Sequence, residues 1–268
     1  LPFTLIEAAQ ETGSSLVALD IAGGVQHRLN QQLQLHLSGF TRSMEYIDDD
    51  ARRFDQDRYQ VAGGISYAFG RQQIRLQLGS HWFTVDNDLF RRTANATIDW
   101  RMQWNPRTRF NAFIYSGDVQ YHPRSAQSVR DVTRWLSGAG ITRVFGAKQN
   151  LLITLGLHGG IEDEQASAAP HLGRALYGLR LNPRLVISPD LSINLNFLIE
   201  ASDYSSQEPL FLRQRDDTYY RLGAGLRYRI ASAWYIEPVI RYVRNKSNIP
   251  TSDYDSLVGQ VRLSYQFD

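Results

Sequence analysis

Histidines and arginines are the side chains of this chain best suited by type to do chemistry. The histidines are His27, His36, His81, His122, His158 and His171. A hydrolase would need one of them beside a hydroxyl nucleophile and an orienting acid or amide. His122 and His171 do lie in sequence near Ser125 and Ser167. Yet no nucleophile elbow, His-Glu-x-x-His or paired-carboxylate motif accompanies them. A triad built across strands would leave no such local mark, so a lipid-modifying hydrolase stands as the least favoured reading and no catalytic residue is assigned. Asp48-Asp49-Asp50 reads as a solvated loop rather than a calcium loop. The chain has no cysteine, which excludes disulfides and thiolate metal sites. No metal or cofactor is expected.

The arginines recur on alternating positions. Arg58, Arg75, Arg101, Arg180, Arg221, Arg227, Arg229, Arg241 and Arg262, with Arg28, Arg42 and Arg184, share the polar face of successive segments. Few acids join them: Asp20, Asp99, Glu200 and Glu237. Rings of arginine bias a water-filled passage toward anions. The competing reading is that they pair with acids of in-folding loops, such as Asp48-Asp49-Asp50 or Glu162-Asp163-Glu164.

The elements that would hold them are strands. Ala94, Ala96, Ile98, Trp100, Met102 and Trp104 alternate with Asn95, Thr97, Asp99, Arg101 and Gln103. Leu191, Ile193, Leu195, Phe197 and Ile199 repeat the pattern, as do Tyr220, Leu222, Ala224, Leu226 and Tyr228. Period-two alternation puts successive side chains on opposite faces of a strand. Short turns centre on Asn30-Gln31-Gln32, Arg71-Gln72-Gln73, Pro106-Arg107-Thr108, Ala147-Lys148-Gln149, Ser188-Pro189-Asp190 and Ala231-Ser232-Ala233. Longer connections are expected over 43–57, 86–93, 122–130, 161–171, 203–217 and 245–255. Short turns alternating with long loops mark a transmembrane antiparallel up-and-down β-barrel, with short periplasmic turns and longer extracellular loops.

Thirteen strands are plain, and parity asks for one more. Phe3–Ala9 is the candidate, making about 14 strands in a single barrel domain over residues 1–268. Aromatic residues such as Phe69, Trp104, Phe110, Phe145 and Trp234 flank short turns, whereas Tyr59, Trp82, Trp135, Tyr220 and Tyr242 lie toward the long connections. Two interfacial girdles follow. A soluble β-sandwich also alternates but needs neither girdles nor sorted turns. No stretch is apolar enough for a transmembrane helix. With a net charge of +2 and no Lys/Arg block, no nucleic-acid partner is expected. A start at Leu1 without a signal segment reads as an excised mature domain, behind which a periplasmic part would be missing. Mid-strand glycines, such as Gly63-Gly64 and Gly223 with Gly225, read first as sites of curvature.

The last strand carries Gly259, Val261, Leu263, Tyr265 and Phe267 on one face, which resembles the terminal signal read by the outer-membrane barrel assembly machinery. That signal ends on its aromatic residue, whereas here Asp268 follows. Ahead of it, Arg241-Tyr242-Val243-Arg244-Asn245-Lys246-Ser247-Asn248-Ile249-Pro250, followed by Asp253-Tyr254-Asp255, resembles the closing segment of the surface lipoprotein assembly modifier family. The likeness extends to related barrels carried behind tetratricopeptide repeats. The family pattern continues with Arg where this chain has Ser256. The resemblance covers about the last tenth of the chain. It implies a bacterial outer-membrane barrel, embedded in outer-membrane lipid, that exports or displays protein and works with a periplasmic repeat domain. Related barrels imply the alternative, export of an exopolysaccharide or an anion-selective porin.

Overall fold

In this computed structural model residues 15–122, 130–166 and 169–265 are described. They form thirteen strands: β1 (Leu16–Arg28), β2 (Leu33–Tyr46), β3 (Gln56–Phe69), β4 (Gln72–Val85), β5 (Asp88–Asn105), β6 (Thr108–Tyr121), β7 (Val132–Phe145), β8 (Leu151–Glu164), β9 (Arg174–Ser188), β10 (Leu191–Glu208), β11 (Arg213–Arg229), β12 (Trp234–Ser247) and β13 (Tyr254–Tyr265). They make one sheet in strict sequence order, so every neighbour is the next strand in the chain. The pairings resolved strand by strand are antiparallel. Phe3–Ala9 and Phe267 lie outside the described residues. Among the described residues the strand count is therefore thirteen, where the sequence reading asks for about fourteen.

The chain gathers into two compact units. One holds Leu1–Trp100, Phe113–Leu136 and Ile161–Gly173; the other holds Arg101–Ala112, Ser137–Gly160 and Arg174–Asp268. β5 to β8 each supply residues to both.

Register shows how the alternation is spent. In β1–β2, Asp20 faces Arg42 and Gln26 faces His36 on one side, while Leu19 faces Ser43 and Val25 faces Leu37 on the other. The apolar side is the exposed one: Leu19 is 61% exposed, Val25 69%, Leu157 61% and Val261 70%. The buried hydrophobic side chains, by contrast, are few and scattered, chiefly at loop-proximal positions such as Phe54, Val132 and Ile249. A water-soluble sandwich would bury one apolar face against another. A sheet that displays its leucines and valines at this level is stable only against lipid. Strands of 12 to 18 residues exceed the roughly 10 residues a tilted strand needs to cross a bilayer. Among the described residues no helix is long and apolar enough to cross.

The short turns sit where expected, and their side chains explain them. Asn30 Oδ1 accepts from the backbone N–H of Gln32 and Leu33 at 2.9 and 2.8 Å. Asn105 Oδ1 accepts from Arg107 N at 2.9 Å. Such Asx turns replace backbone partners where the ladder ends. Two of the long connections are corrected. The stretch 86–93 is no loop: β5 begins at Asp88, and Asp86 and Asn87 alone make the turn, with φ of 51° and 62°. Positive φ at both central residues is the type I′ geometry, which Asp and Asn tolerate. Likewise β10 and β11 run to Glu208 and from Arg213, leaving four connecting residues where a loop over 203–217 was expected. A bulge between Asp203 and Gln207 is all that interrupts that ladder.

Candidate functional site: the polar face

In the second unit, Arg180 and Arg184 of β9, Arg221, Arg227 and Arg229 of β11, Arg241 of β12 and Arg262 of β13 lie on the face opposite the exposed leucines. Arg180 faces Leu198 across β9–β10, and Leu198 faces Arg221 across β10–β11. Arg241 faces Gly223 on one side and Val258 on the other. Arg184 faces Asn194, which faces Gly225. Arg184, Asn194, Asn196, Gly225, Arg227, Glu237 and Val239 line a shallow recess of about 200 Å³.

Some of these guanidiniums are neutralised and some are not. Glu237 sits between Arg227, at 3.1 Å, and Arg262, at 4.0 Å. Arg227 also stacks on Tyr235, with its Cζ 4.0 Å from the ring centroid. Arg229 Nε donates to Asp190 Oδ1 at 2.6 Å, which ties the end of β11 to the turn before β10. Arg180, Arg184, Arg221 and Arg241 make no ion pair among the described residues. Arg101, on β5, is exposed and also makes none.

In the first unit Arg42 grips Asp20 with two hydrogen bonds, 2.5 and 2.7 Å. Arg58 stands directly across from Arg42. Arg75 Nε donates to the buried Ser66 hydroxyl at 3.2 Å. Pairing with loop acids, the competing expectation, takes a different form. Among the described residues Asp49 pairs with its neighbour Arg52 in the same turn, at 3.1 Å. Glu162, buried at the end of β8, pairs with Arg134 of β7. The acids that meet arginines across the ladder lie mostly on the neighbouring strands, set by register rather than by loops folding in.

His158 and Glu200 form a pair the sequence does not announce, at 2.8 Å. The imidazole lies over Gly178 of the strand between them: a Cβ there would sit 2.5 Å from His158 Cε1. His36 covers Gly64 in the same way, 2.7 Å from a Cβ position. At these two places glycine admits a side chain from the adjoining strand. That close approach replaces curvature as the reason for the residue. Among the described residues no side-chain hydroxyl bonds a histidine.

The segment Asn245–Asp255 is internally bonded. Asn245, buried at the end of β12, donates through Nδ2 to Ser252 O at 2.6 Å. Ser247 Oγ accepts from Ile249 N at 3.1 Å, and Asp253 Oδ2 accepts from Ser247 N at 3.2 Å. Asp253 also pairs with Arg244 at 2.5 Å. Pro250 begins a single 3-10 turn, which buries Ile249 to 1% exposure. Asn248 reaches the neighbouring hairpin, accepting from Asp216 N at 3.0 Å and donating to Gln214 O at 2.8 Å. Tyr254 faces Asn245 across β12–β13, and Asp255 faces Arg244. Beside this loop lies a cluster that sequence reasoning missed. Arg215 holds Asp217 through both carboxylate oxygens and lies 4.6 Å over the Tyr204 ring, while Arg174 donates to Ser202 Oγ at 3.2 Å. Tyr204, Arg215 and Asp217 fell in the stretch 203–217 read as loop, so their alternation went uncounted.

On β13, Gly259, Leu263 and Tyr265 share the exposed face, and the Tyr265 ring packs 5.0 Å from Trp234. Phe267, the last member of the proposed assembly signal, is outside the described residues.

No family model and no curated protein matches the chain. Solved structures do. The chain is similar to a bacterial polysaccharide outer membrane secretin, at 11% identity and a TM-score of 0.50, over 94% of this chain and 91% of that one. It is also similar to the ferric-catecholate import receptor Fiu from E. coli K12, at 11% identity and 0.48, over 95% of this chain and 56% of that one. A third is the KdgM porin, at 12% identity and 0.42, over 94% of this chain and 100% of that one. The chain thus spans little more than half the length of the import receptor. At such identities a likeness speaks for fold alone, and the secretin likeness carries it. With its apolar face exposed and its strands in unbroken sequence order, the chain is a transmembrane β-barrel of the bacterial outer membrane.

Proposed function

We propose that the barrel is an outer-membrane translocation channel whose polar wall favours anionic cargo. The observation that carries this is the unpaired set Arg180, Arg184, Arg221 and Arg241, on a face where Glu237 is already engaged by two other arginines. Fixed positive charge on the wall of a narrow aqueous passage raises the local anion concentration and repels cations. An anionic exopolysaccharide fits that wall. The test is single-channel recording in a planar bilayer under a salt gradient. The native chain should pass anions in preference to cations. Arg180→Glu combined with Arg221→Glu and Arg241→Glu should reverse the preference. An unchanged reversal potential refutes the reading.

A second cargo, surface lipoprotein, is favoured by one observation. The segment that resembles the lipoprotein assembly family is a fully bonded loop fastened to the neighbouring hairpin. In this reading the loop is a shaped contact for an emerging protein, and a periplasmic repeat domain would deliver that protein to the barrel. Deleting the gene should remove lipoproteins from the cell surface, and full surface display in the deletion strain rules the reading out. In either case β13, through Gly259, Leu263, Tyr265 and Phe267, is the proposed contact for the barrel assembly machinery.

A further inference from the structure

The first unit holds an arginine cluster of a different kind. Arg58 of β3 and Arg91 of β5 both lie over the ring of Phe83 of β4, with Cζ atoms 5.2 and 5.7 Å from its centroid. Arg42 of β2 stands directly opposite Arg58, and its own Cζ is 5.8 Å from the Phe40 ring. Like charges directly opposite on a sheet face are unfavourable, so the arrangement needs compensation. Asp20 supplies part of it, but both its oxygens are held by Arg42. Arg58 and Arg91 form no ion pair among the described residues, and both are exposed. The aromatic ring fixes the two guanidiniums without neutralising them. Three cations against one carboxylate leave a surplus of two positive charges on this small patch.

We propose that Arg58 and Arg91, held over Phe83, with Arg42 beside Arg58, form a binding site for a divalent oxyanion with the chemistry of a phosphate monoester. Guanidiniums present forked donors that match the oxygens of phosphate two at a time, and a dianion balances the surplus charge. Phe83 faces Arg58 on the side of β4 opposite Trp82, one of the aromatic residues expected at the membrane interface. The site therefore opens away from the bilayer, and its phosphate comes from solute or from cargo rather than from the lipid around the barrel. The inference rests on the reading of this face as the wall of an anion conduit, and names one step on it: a place where a phosphorylated group is held near the long-loop end.

The test is calorimetric titration of the full chain in non-ionic detergent, with chloride at matched ionic strength as the reference. One arm uses inorganic phosphate and the other glucose 1-phosphate. A saturable isotherm of one site is expected in at least one arm. Inorganic phosphate binding as well as the sugar phosphate marks a solute site; tighter binding of the sugar phosphate marks a cargo site. Arg58→Gln and Arg91→Gln should each weaken binding tenfold or more, Arg58→Lys should weaken it less, and Lys148→Gln, exposed in the turn between β7 and β8, should leave it unchanged. Unaltered strand content by circular dichroism shows that each variant is folded. Absence of saturable binding in both arms, or binding indifferent to Arg58 and Arg91, overturns the proposal. Binding needs no conduction, so an isotherm from a barrel without anion selectivity keeps the site and rejects the conduit, and the reverse result does the opposite.

Discussion

Asn245 offers the sharpest test of whether the β12–β13 loop is built or merely present. Its side chain is 5% exposed and its Nδ2 donates to Ser252 O at 2.6 Å. Asn245→Ala removes the donor and leaves a carbonyl at a buried residue without it. Losing one partner of a buried hydrogen bond costs about 1–3 kcal/mol. The barrel ladder does not depend on this bond, so the cost falls on local opening of the loop rather than on global unfolding. At 1.4 kcal/mol per factor of ten, amide exchange across 246–253 should quicken roughly 5- to 150-fold. Asn245→Asp retains the shape but sets a carboxylate oxygen against a carbonyl oxygen, and should be the worse of the two. Because Asn248 bonds Asp216 N and Gln214 O, the quickening should spread to 213–217 and to no other hairpin tip. Hydrogen-exchange mass spectrometry in detergent resolves these peptides. Exchange over 246–253 that is unchanged in Asn245→Ala would refute the argument that the loop is held by its own bonds.

Glu237→Gln removes the carboxylate that Arg227 and Arg262 share. These side chains are 37% and 42% exposed, so stability should change by less than about 1 kcal/mol, read as a small shift in thermal midpoint. Removing a charge about 7 Å from a passing ion alters its energy by roughly 0.6 kcal/mol in water, with opposite sign for anion and cation, so the anion-to-cation permeability ratio should rise about sevenfold in bilayer recordings. Gly64→Ala drives a Cβ into the Leu76 carbonyl oxygen and the His36 ring, whereas Gly23→Ala meets nothing within 4 Å. The first should collapse the folded fraction seen as heat-modifiable gel mobility, and the second should leave it intact. Asn87→Gly relieves a φ of 62° and should hold or raise stability, while Asn87→Val should lower it by about 1–2 kcal/mol in denaturant titration.

Strand identity was legible wherever one face meets lipid and the other does not. Leu191 to Ile199 and Tyr220 to Tyr228 could be read directly, because a one-residue error would have put charge into the bilayer. Ladders that project past the membrane were not legible. At Gln207 and Glu208 and from Arg213 to Asp216 no side chain is buried, so alternation carries no energetic penalty and leaves no pattern, yet Gln207 still pairs with Gln214 and Glu208 with Arg213. The turn Asp86-Asn87 was hidden for a related reason. Its signal is two residues tolerant of positive φ, not a polar run, and the flanking polar residues made it look long. The polar face was legible as composition but not as pairs. That Glu237 meets Arg227 and Arg262 follows from the register of β11, β12 and β13, which no single strand contains.

Those pairs change what the arginine count means. Within the second unit, the neutralised guanidiniums lie toward the strand ends: at the long-loop end Arg215 pairs with Asp217 and Arg244 with Asp253, and the rest lie at the short-turn end. Arg227 and Arg229 close β11, Arg262 is near the end of β13, and Glu237 and Asp190 answer them. The unpaired Arg180, Arg221 and Arg241 lie nearer the middle of their strands. A charge at the mouth of an aqueous passage is screened by salt within about 10 Å, whereas one midway along a narrow wall is screened much less. Pairing the end and leaving the middle bare therefore places selectivity where it costs the fewest charges. It also explains why reversing Arg227 or Arg229 would be a poorer assay of that selectivity than reversing Arg180, Arg221 and Arg241: each substitution would break an ion pair and disturb register as well as change the charge of the wall.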